Sequence, residues 1–314
     1  MDLTLRPVVP ADAPAVTRLL NAVDLIEVGR AETDLVSVEA DLNHPEAALP
    51  ENSWLAVRAD GEAVAYGLMW DDSGAERIDM DQYVLPDHQD TAERMLELMQ
   101  AQAVHRARTN GAERAVVHMH LNVRPTLDTE LLTRRGWTTV RRYHVLTRPL
   151  APAADPLPTA PAGLTLRPAR TEDDRRTAHA LVEETFLDHF DNQPLTYEQW
   201  LNNLGGLADW ERVWIASLDG GRGDAAVLVT TNHREAYAWI NTLGVRKEFR
   251  GQGIAGHLLR HAFGVYAELG RDSIGLGVDT ANESGALRLY EAHGMGTHSA
   301  VDTWEVTLPV PPVS

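Results

Sequence analysis

Leu243-Gly244-Val245-Arg246-Lys247-Glu248-Phe249-Arg250-Gly251-Gln252-Gly253-Ile254-Ala255 is the stretch that decides the fold. A strand-like run leads into a polar loop with glycines at 251 and 253, and a helical pattern follows directly. Ile254, Leu258, Ala262, Val265 and Leu269 recur at three- and four-residue spacing, the period of a helix with one apolar face. Glycine permits the backbone angles and close approach that let successive N–H groups point at one anion. The helix start adds unpaired donors and the positive end of the dipole. From Gly244 to Arg260 there are four basic residues and one acidic, a local +3 in a chain of formal charge -18. The pattern points to a bound pyrophosphate. No Gly-Lys-Ser/Thr ends the loop, which excludes a P-loop. The dinucleotide-binding reading is set aside as well.

Working outward, the surrounding elements read as a mixed α/β domain around a largely antiparallel sheet. Leu164–Pro168 is a strand, followed by helices over Thr171–Phe186 and Thr196–Leu204. Strands follow over Trp214–Leu218, Ala225–Thr231 and Tyr237–Val245, then a helix over Gly251–Leu269. Ser273–Val278 is a strand, Glu283–His293 a helix and Thr303–Leu308 a closing strand. The opening of this region repeats an earlier one. Leu3-Thr4-Leu5-Arg6-Pro7 returns as Leu164-Thr165-Leu166-Arg167-Pro168, a helical pattern follows each (Ala11 to Val23, Thr171 to Phe186), and Trp54-Leu55-Ala56 returns as Trp214-Ile215-Ala216. Three elements in matching order indicate a duplicated domain. Between the copies, Pro149, Pro152, Pro156, Pro158 and Pro161 form an extended connector. The expected division is a first domain over 1–148, a linker over 149–163 and a second domain over 164–314.

At 314 residues the chain is long enough for two domains. Its 44% hydrophobic and 24% charged residues are a globular composition. With 46 acidic against 28 basic residues, nucleic acid and anionic lipid are poor partners, while small cationic amines would be attracted. The chain has no cysteine, which excludes disulfides, thiolate metal sites and a cysteine acyl-enzyme. The opening Met1-Asp2-Leu3-Thr4 lacks a basic and apolar leader, and no apolar run reaches membrane length. The expectation is a cytoplasmic monomer with an internal pseudo-dimer.

Arg250-Gly251-Gln252-Gly253-Ile254-Ala255 resembles the (Gln/Arg)-x-x-Gly-x-(Gly/Ala) loop of the GNAT superfamily of N-acetyltransferases. Downstream, Asn282-Glu283-Ser284-Gly285-Ala286-Leu287-Arg288-Leu289-Tyr290, with Gly294-Met295 after it, resembles that family's second signature. The resemblance implies two tandem GNAT-like folds and acetyl-CoA as acyl donor. It implies donor contacts from Leu243, Gly244 and Val245 on the strand, from Arg250, Gly251, Gln252, Gly253, Ile254, Ala255 and Gly256, and from Asn282, Ser284 and Ala286.

It also implies Tyr290 as the proton donor to the departing thiolate. Without cysteine, direct attack by an amine in a ternary complex is the simpler route. For the general base, Glu235, Asn241 (through water), Glu183 and Glu184 remain open. Glu183, Asp188 and His189 stand where the family builds its acceptor pocket. The tandem layout is similar to that of mycothiol synthases, which carry an acidic residue four positions before the Leu-Gly-Val segment. Here that position is Trp239. The alternatives to a small-molecule amine acetyltransferase are thus a mycothiol-synthase-like enzyme and a non-catalytic acyl-CoA binder. The pairs His118/His120 and His257/His261 have no evident third ligand and read as structural.

A shift of 161 places Val84 under Val245, and Gln89-Asp90-Thr91-Ala92 under the glycine loop. Both glycines are gone, Asp87 and Asp90 add negative charge, and Leu132 takes the place of the tyrosine. The first copy is expected to bind no acyl-CoA.

Overall fold

The computed structural model describes residues 3–71, 74–190, 192–204, 208–219, 223–231, 237–281 and 285–311. The first half runs β1 (Leu3–Arg6), α1 (Ala13–Glu27), α2 (Leu35–Leu42), α3 (Leu49–Asn52), β2 (Ser53–Arg58), β3 (Ala63–Trp70) and β4 (Arg77–Val84). It continues through α4 (Gln89–Thr109), β5 (Arg114–Asn122), α5 (Thr129–Arg134) and β6 (Thr138–Pro149). The second half runs β7 (Leu164–Pro168), α6 (Glu172–Phe186), α7 (Tyr197–Asn203), β8 (Ala208–Leu218), β9 (Gly223–Thr231) and β10 (Tyr237–Val245). It ends with α8 (Ile254–Glu268), β11 (Ser273–Asp279), α9 (Ala286–Ala292) and β12 (Gly296–Pro309). Apart from the single turn of α3, the two halves repeat one order of elements, so the fold is a tandem mixed α/β architecture.

Packing divides the chain differently from the sequence repeat. One compact unit holds residues 1–143 with 299–314, and the other holds 144–298. The reason lies in the closing strands. In the first unit the strand order is β1-β2-β3-β4-β5-β12, and β12 pairs antiparallel with β5 from Val301↔Asn122 to Pro309↔Arg114. In the second unit the order is β7-β8-β9-β10-β11-β6. Within each sheet one interior pair is parallel, β4 with β5 and β10 with β11. The proline-rich connector belongs to the second unit. Leu150 donates its N–H to the Asp272 carbonyl, Asp155 is buried beside Arg148 at 2.7 Å, and Leu157 packs on Gly264 of α8.

Each sheet is covered on both faces, which is why β3 and β9 are buried almost throughout. In the first unit, Val64, Met69, Met80 and Val84 pack with Met95, Leu96 and Met99 of α4, while Leu55, Tyr66 and Leu68 pack with Val16, Leu19 and Val23 of α1. In the second unit, Leu228, Ile240, Ile274 and Leu276 meet Leu258, Ala262 and Tyr266 of α8. Val213, Ile215, Val227 and Val229 meet Leu181 of α6 and Trp200 of α7. Capping boxes at Thr171/Asp174 and Thr196/Gln199 start α6 and α7.

Of the histidine pairs, His118 and His257 are buried in this packing, while His120 is exposed. His118 lies 2.7 Å from Glu305, and His120 lies 3.1 Å from the Thr303 hydroxyl. His257 is buried in α8, and the His261 ring stands edge-on to Trp214. Among the described residues no three His, Asp or Glu side chains gather as a metal site, and no helix is long and apolar enough to cross a membrane.

Candidate functional site

The site begins where two parallel strands part. β10 pairs with β9 from Trp239 to Val245, but with β11 only from Tyr237↔Ser273 to Ile240↔Leu276. Past that point, residues 241–245 have no ladder partner on the β11 side among the described residues. A bulge marks the departure, because the β9–β10 register shifts between Ile240 and Thr242 and leaves Asn241 as the extra residue. The Thr231 hydroxyl donates to Asn241 Oδ1 at 2.5 Å and holds the bulge. Leu243, Gly244 and Val245 therefore present one backbone edge to an opening in the sheet.

Glycine at 244 has a packing cause. A Cβ there would lie 2.1 Å from the Thr185 hydroxyl, so its absence lets α6 lie directly on the strand. Thr185 in turn donates to the Leu181 carbonyl at 2.6 Å. Gly275 on β11 plays a similar part. A Cβ there would meet the Tyr237 hydroxyl at 1.9 Å, and Trp239 lies beside Tyr237 with ring centroids 6.1 Å apart. No motif pointed to Thr185, Gly275 or Tyr237, since each matters through a contact distant in sequence.

The glycine loop closes one end of the opening. Gly251 and Gly253 have φ of +75° and +78°, a left-handed conformation that other L-residues adopt only with strain. The helix expected over Gly251–Leu269 starts later, because the left-handed glycines delay α8 to Ile254, and Gly253 caps it with no side chain. The first-turn N–H groups of Ile254, Ala255 and Gly256 thus lack a side-chain acceptor. Among the described residues nothing lies within 4 Å of a Cβ built on Gly251 or Gly253, so the space beside both glycines is open. An anion fits such a cradle. Gly251, Gly253 and Gly256 do also stand at Gly-x-Gly-x-x-Gly spacing. The strand before them, however, ends an antiparallel meander, and Gly256 makes room for the His293 ring, whose Nε2 a Cβ there would meet at 2.9 Å.

The four cations around the loop all have partners, and two of those partners are acids. Arg246 pairs with Glu184 at 2.9 Å and donates to the Asp224 carbonyl at 2.7 Å, and Lys247 meets Asp188 at 2.5 Å. Arg250 donates to the Val245 carbonyl at 3.1 Å, and Arg260 reaches His293 Nε2 at 3.1 Å. Hydrogen bonding to Lys247 holds the Asp188 carboxyl below its ordinary range. Burial pushes His189 below the usual imidazole range; Arg250 acts the same way, while Asp279 and Asp188 oppose it. Asp188 and His189 accordingly lie at the glycine loop. Glu183 lies 3.8 Å from His179, one turn back on α6.

Tyr290, on α9, is buried in the same apolar cluster as Ile254, Leu258 and Val278, against which Leu243 and Val245 pack. Its hydroxyl makes no hydrogen bond among the described residues, and burial pushes its pKa up to about 12. At neutral pH it is a phenol with a proton to give. Ala286 opens α9. Glu235, Asn282 and Ser284 lie outside the described residues.

The first unit keeps the parting strands and loses the cradle. β4 pairs with β5 only from Arg77↔Val116 to Met80↔Met119. α4, however, starts at Gln89, four residues earlier in the repeat than α8, and no residue from 85 to 89 has positive φ. The Gln89 side chain donates to the Thr126 carbonyl at 3.0 Å and accepts from the Asp128 N–H at 2.8 Å. Glu27 accepts from the Thr126 N–H at 2.6 Å and from Asn122 at 2.7 Å. Leu132 is fully buried.

Residues 209–294 match the acetyltransferase (GNAT) domain family. No curated protein sequence matches the chain. Among solved structures, a GCN5-related N-acetyltransferase from Sphaerobacter thermophilus is 26% identical, with a TM-score of 0.81 over 99% of this chain and 97% of that one. A tandem GNAT protein from the clavulanic acid biosynthesis pathway is 17% identical, with a TM-score of 0.66 over the whole of both chains. An N-myristoyltransferase from Saccharomyces cerevisiae is 11% identical, with a TM-score of 0.63 over 98% of this chain and 81% of that one. The chain is a GNAT-fold protein in both halves, and its second unit carries an acyltransferase domain.

Proposed function

We propose that the second unit transfers an acetyl group from acetyl-CoA to a primary amine of a small molecule, by direct attack in a ternary complex. The observation that carries this reading is the continuity of the parted strand with the open glycine cradle, with Tyr290 buried in the apolar cluster to which Ile254 belongs and against which Leu243 and Val245 pack. Leu243, Gly244 and Val245 would pair with the donor's pantetheine arm, and the N–H groups from Gly251 to Gly256 would hold its pyrophosphate. The Val245 N–H would stabilise the oxyanion of the tetrahedral intermediate. Collapse of that intermediate forms the amide and breaks the carbon–sulfur bond, and Tyr290 supplies the thiolate's proton. Asn282 and Ser284 belong to the proposed donor contacts, and Glu235 to the candidate bases, by resemblance alone.

The amine must shed a proton before or during attack. Arg246 occupies Glu184 and Thr231 occupies the Asn241 carbonyl, which leaves Glu183 and the neutral His189 as described groups able to receive it. Trp239 stands where a mycothiol-synthase-like enzyme would carry a carboxylate, so a general amine acceptor is favoured over a cysteinyl pseudodisaccharide. The test is amine-dependent thiol release from acetyl-CoA across an acceptor panel, read by 5-thio-2-nitrobenzoate formation. Turnover with at least one amine is expected. Binding of acetyl-CoA without turnover on any amine would favour a non-catalytic acyl-CoA binder.

A further inference from the structure

The two units build one corner from opposite charges. In each, a short helix ends against the early turns of a long one, α5 against α4 and α9 against α8. The residue at that end is Arg135 on α5 and His293 on α9, each the C-cap of its helix. Each meets two residues that stand one turn apart on the long helix. In the first unit these are Glu93 and Glu97, which hold Arg135 at 2.9 and 2.6 Å. In the second they are Gly256 and Arg260. A Cβ on Gly256 would lie 2.9 Å from His293 Nε2 and 3.5 Å from Arg260 Nη1, and Arg260 reaches Nε2 at 3.1 Å.

The unit without the cradle thus closes this corner with two carboxylates around one guanidinium. The unit with the cradle has neither carboxylate. The Leu289 carbonyl can only accept, so its 2.7 Å contact with His293 Nδ1 puts a proton on that nitrogen. In the neutral ring Nε2 then offers its lone pair to Arg260, which steers the guanidinium. Several N–H donors of that guanidinium remain for another acceptor. Arg246 and Lys247 spend their charge on Glu184 and Asp188, whereas exposed Arg260 has no carboxylate partner among the described residues. Glycine within a helix costs stability relative to alanine. At Gly256 the missing Cβ makes room for the ring that places Arg260.

Arg260 also stands at a suitable remove from the cradle. Gly256 carries the last of the first-turn N–H groups that line it, and Arg260 lies one turn further along α8, about 6 Å by the helix rise. In CoA a single ribose separates the pyrophosphate from the nucleotide's 3′-phosphate.

We infer that Arg260, positioned by His293, binds the 3′-phosphate of the donor's nucleotide, so that the second unit selects CoA over dephospho-CoA. The phosphomonoester accepts the paired N–H groups of the guanidinium in a charge-assisted, two-point contact. This contact rests on the acyl-CoA reading of the cradle and adds selectivity to it.

The test is calorimetric titration of the full-length chain with CoA and with dephospho-CoA, which differ by that phosphate alone. CoA should bind at least tenfold tighter. Arg260→Gln should bring the two ligands within threefold of each other by weakening CoA, with dephospho-CoA affinity held. His293→Leu should narrow the gap in the same direction, since the ring acts through Arg260. Because Arg260 is exposed and pairs with no carboxylate, Arg260→Gln should keep the wild-type melting temperature, and it carries the test alone if His293→Leu does not fold. A purely structural role would weaken both ligands alike, and that result overturns the inference. So does a tenfold gap that survives Arg260→Gln, since the phosphate would then sit elsewhere. Equal affinity of the wild type for the two ligands overturns it and leaves the acyl-transfer reading in place. Failure to bind either ligand overturns both.

Discussion

Replacing Tyr290 by phenylalanine removes one hydroxyl from a site whose apolar packing the ring alone can supply. Burial holds the phenol at about 12, so at pH 8 only about one molecule in 10⁴ is ionised and the group is a proton donor throughout the working range. A thiol titrates near ~8.5, so full transfer from the resting phenol to a free thiolate is uphill by roughly 3–4 units, or about 5 kcal/mol. The donor must act as the carbon–sulfur bond breaks, through a hydrogen bond that strengthens with the developing charge. Loss of one such general acid lowers turnover by ~10²–10⁴, about 3–5 kcal/mol of barrier. The stability change runs the other way. No hydrogen bond among the described residues is lost, so Tyr290→Phe should leave the melting temperature unchanged or slightly raised. The assay is thiol release at saturating acetyl-CoA, with donor affinity by calorimetry and melting on the same samples. Donor affinity should be retained, and the wild-type rate should show no loss from this phenol below about pH 11. A rate within threefold of wild type, at equal affinity, would refute the assignment.

Gly253→Ala keeps the empty space nearly open but strains a residue at φ +78°, so it should cost about 1–2 kcal/mol of folding stability, measurable by denaturant titration. Gly253→Val should also abolish acetyl-CoA binding in calorimetry, because its branched side chain fills the cradle; normal affinity in a folded variant would sink the loop assignment. Gly244→Ala should destabilise by roughly 1–3 kcal/mol and weaken donor binding, since its Cβ meets Thr185 and must push α6 off the strand. Asp81 gives a pH signature. Its folded pKa of about 6 exceeds the unfolded value, so its ionisation opposes folding above pH 6 and that penalty fades as pH falls toward 4. Asp81→Asn should therefore shrink the stability gain between pH 7.5 and 5 by about 1 kcal/mol, allowing for its partial exposure and for nearby Asp41 and Asp79.

What could be read from residues alone was whatever depends on short stretches. Gly251 and Gly253 mark a loop because a left-handed backbone restricts which residue can stand there, and Ile254 to Leu269 mark a helix by period. Gln89 to Ala92 disclose the lost cradle by the same logic inverted. The features that escaped depend on partners far along the chain. Asn241 is a bulge only by virtue of Thr231 on the neighbouring strand, and Gly244 is needed because of Thr185 on α6. Glu27 and Gln89 pin the loop after β5 through contacts 99 and 37 residues away. The closing strand begins at Gly296, not Thr303, and from Ser299 it lies in the first unit. Its polar residues meet partners such as Arg142 with Asp302 at 2.6 Å, which obscures any apolar alternation.

The most direct test of the central claim is the stoichiometry of acetyl-CoA binding to the intact chain, by calorimetric titration of the wild type and of Gly253→Val. One parted strand leads into an open glycine cradle and the other into a helix pinned by Gln89, so one donor per chain is expected, with none in the folded variant. Two donors per chain, or one that persists in Gly253→Val, would contradict the assignment of the acyl-CoA site to the second unit.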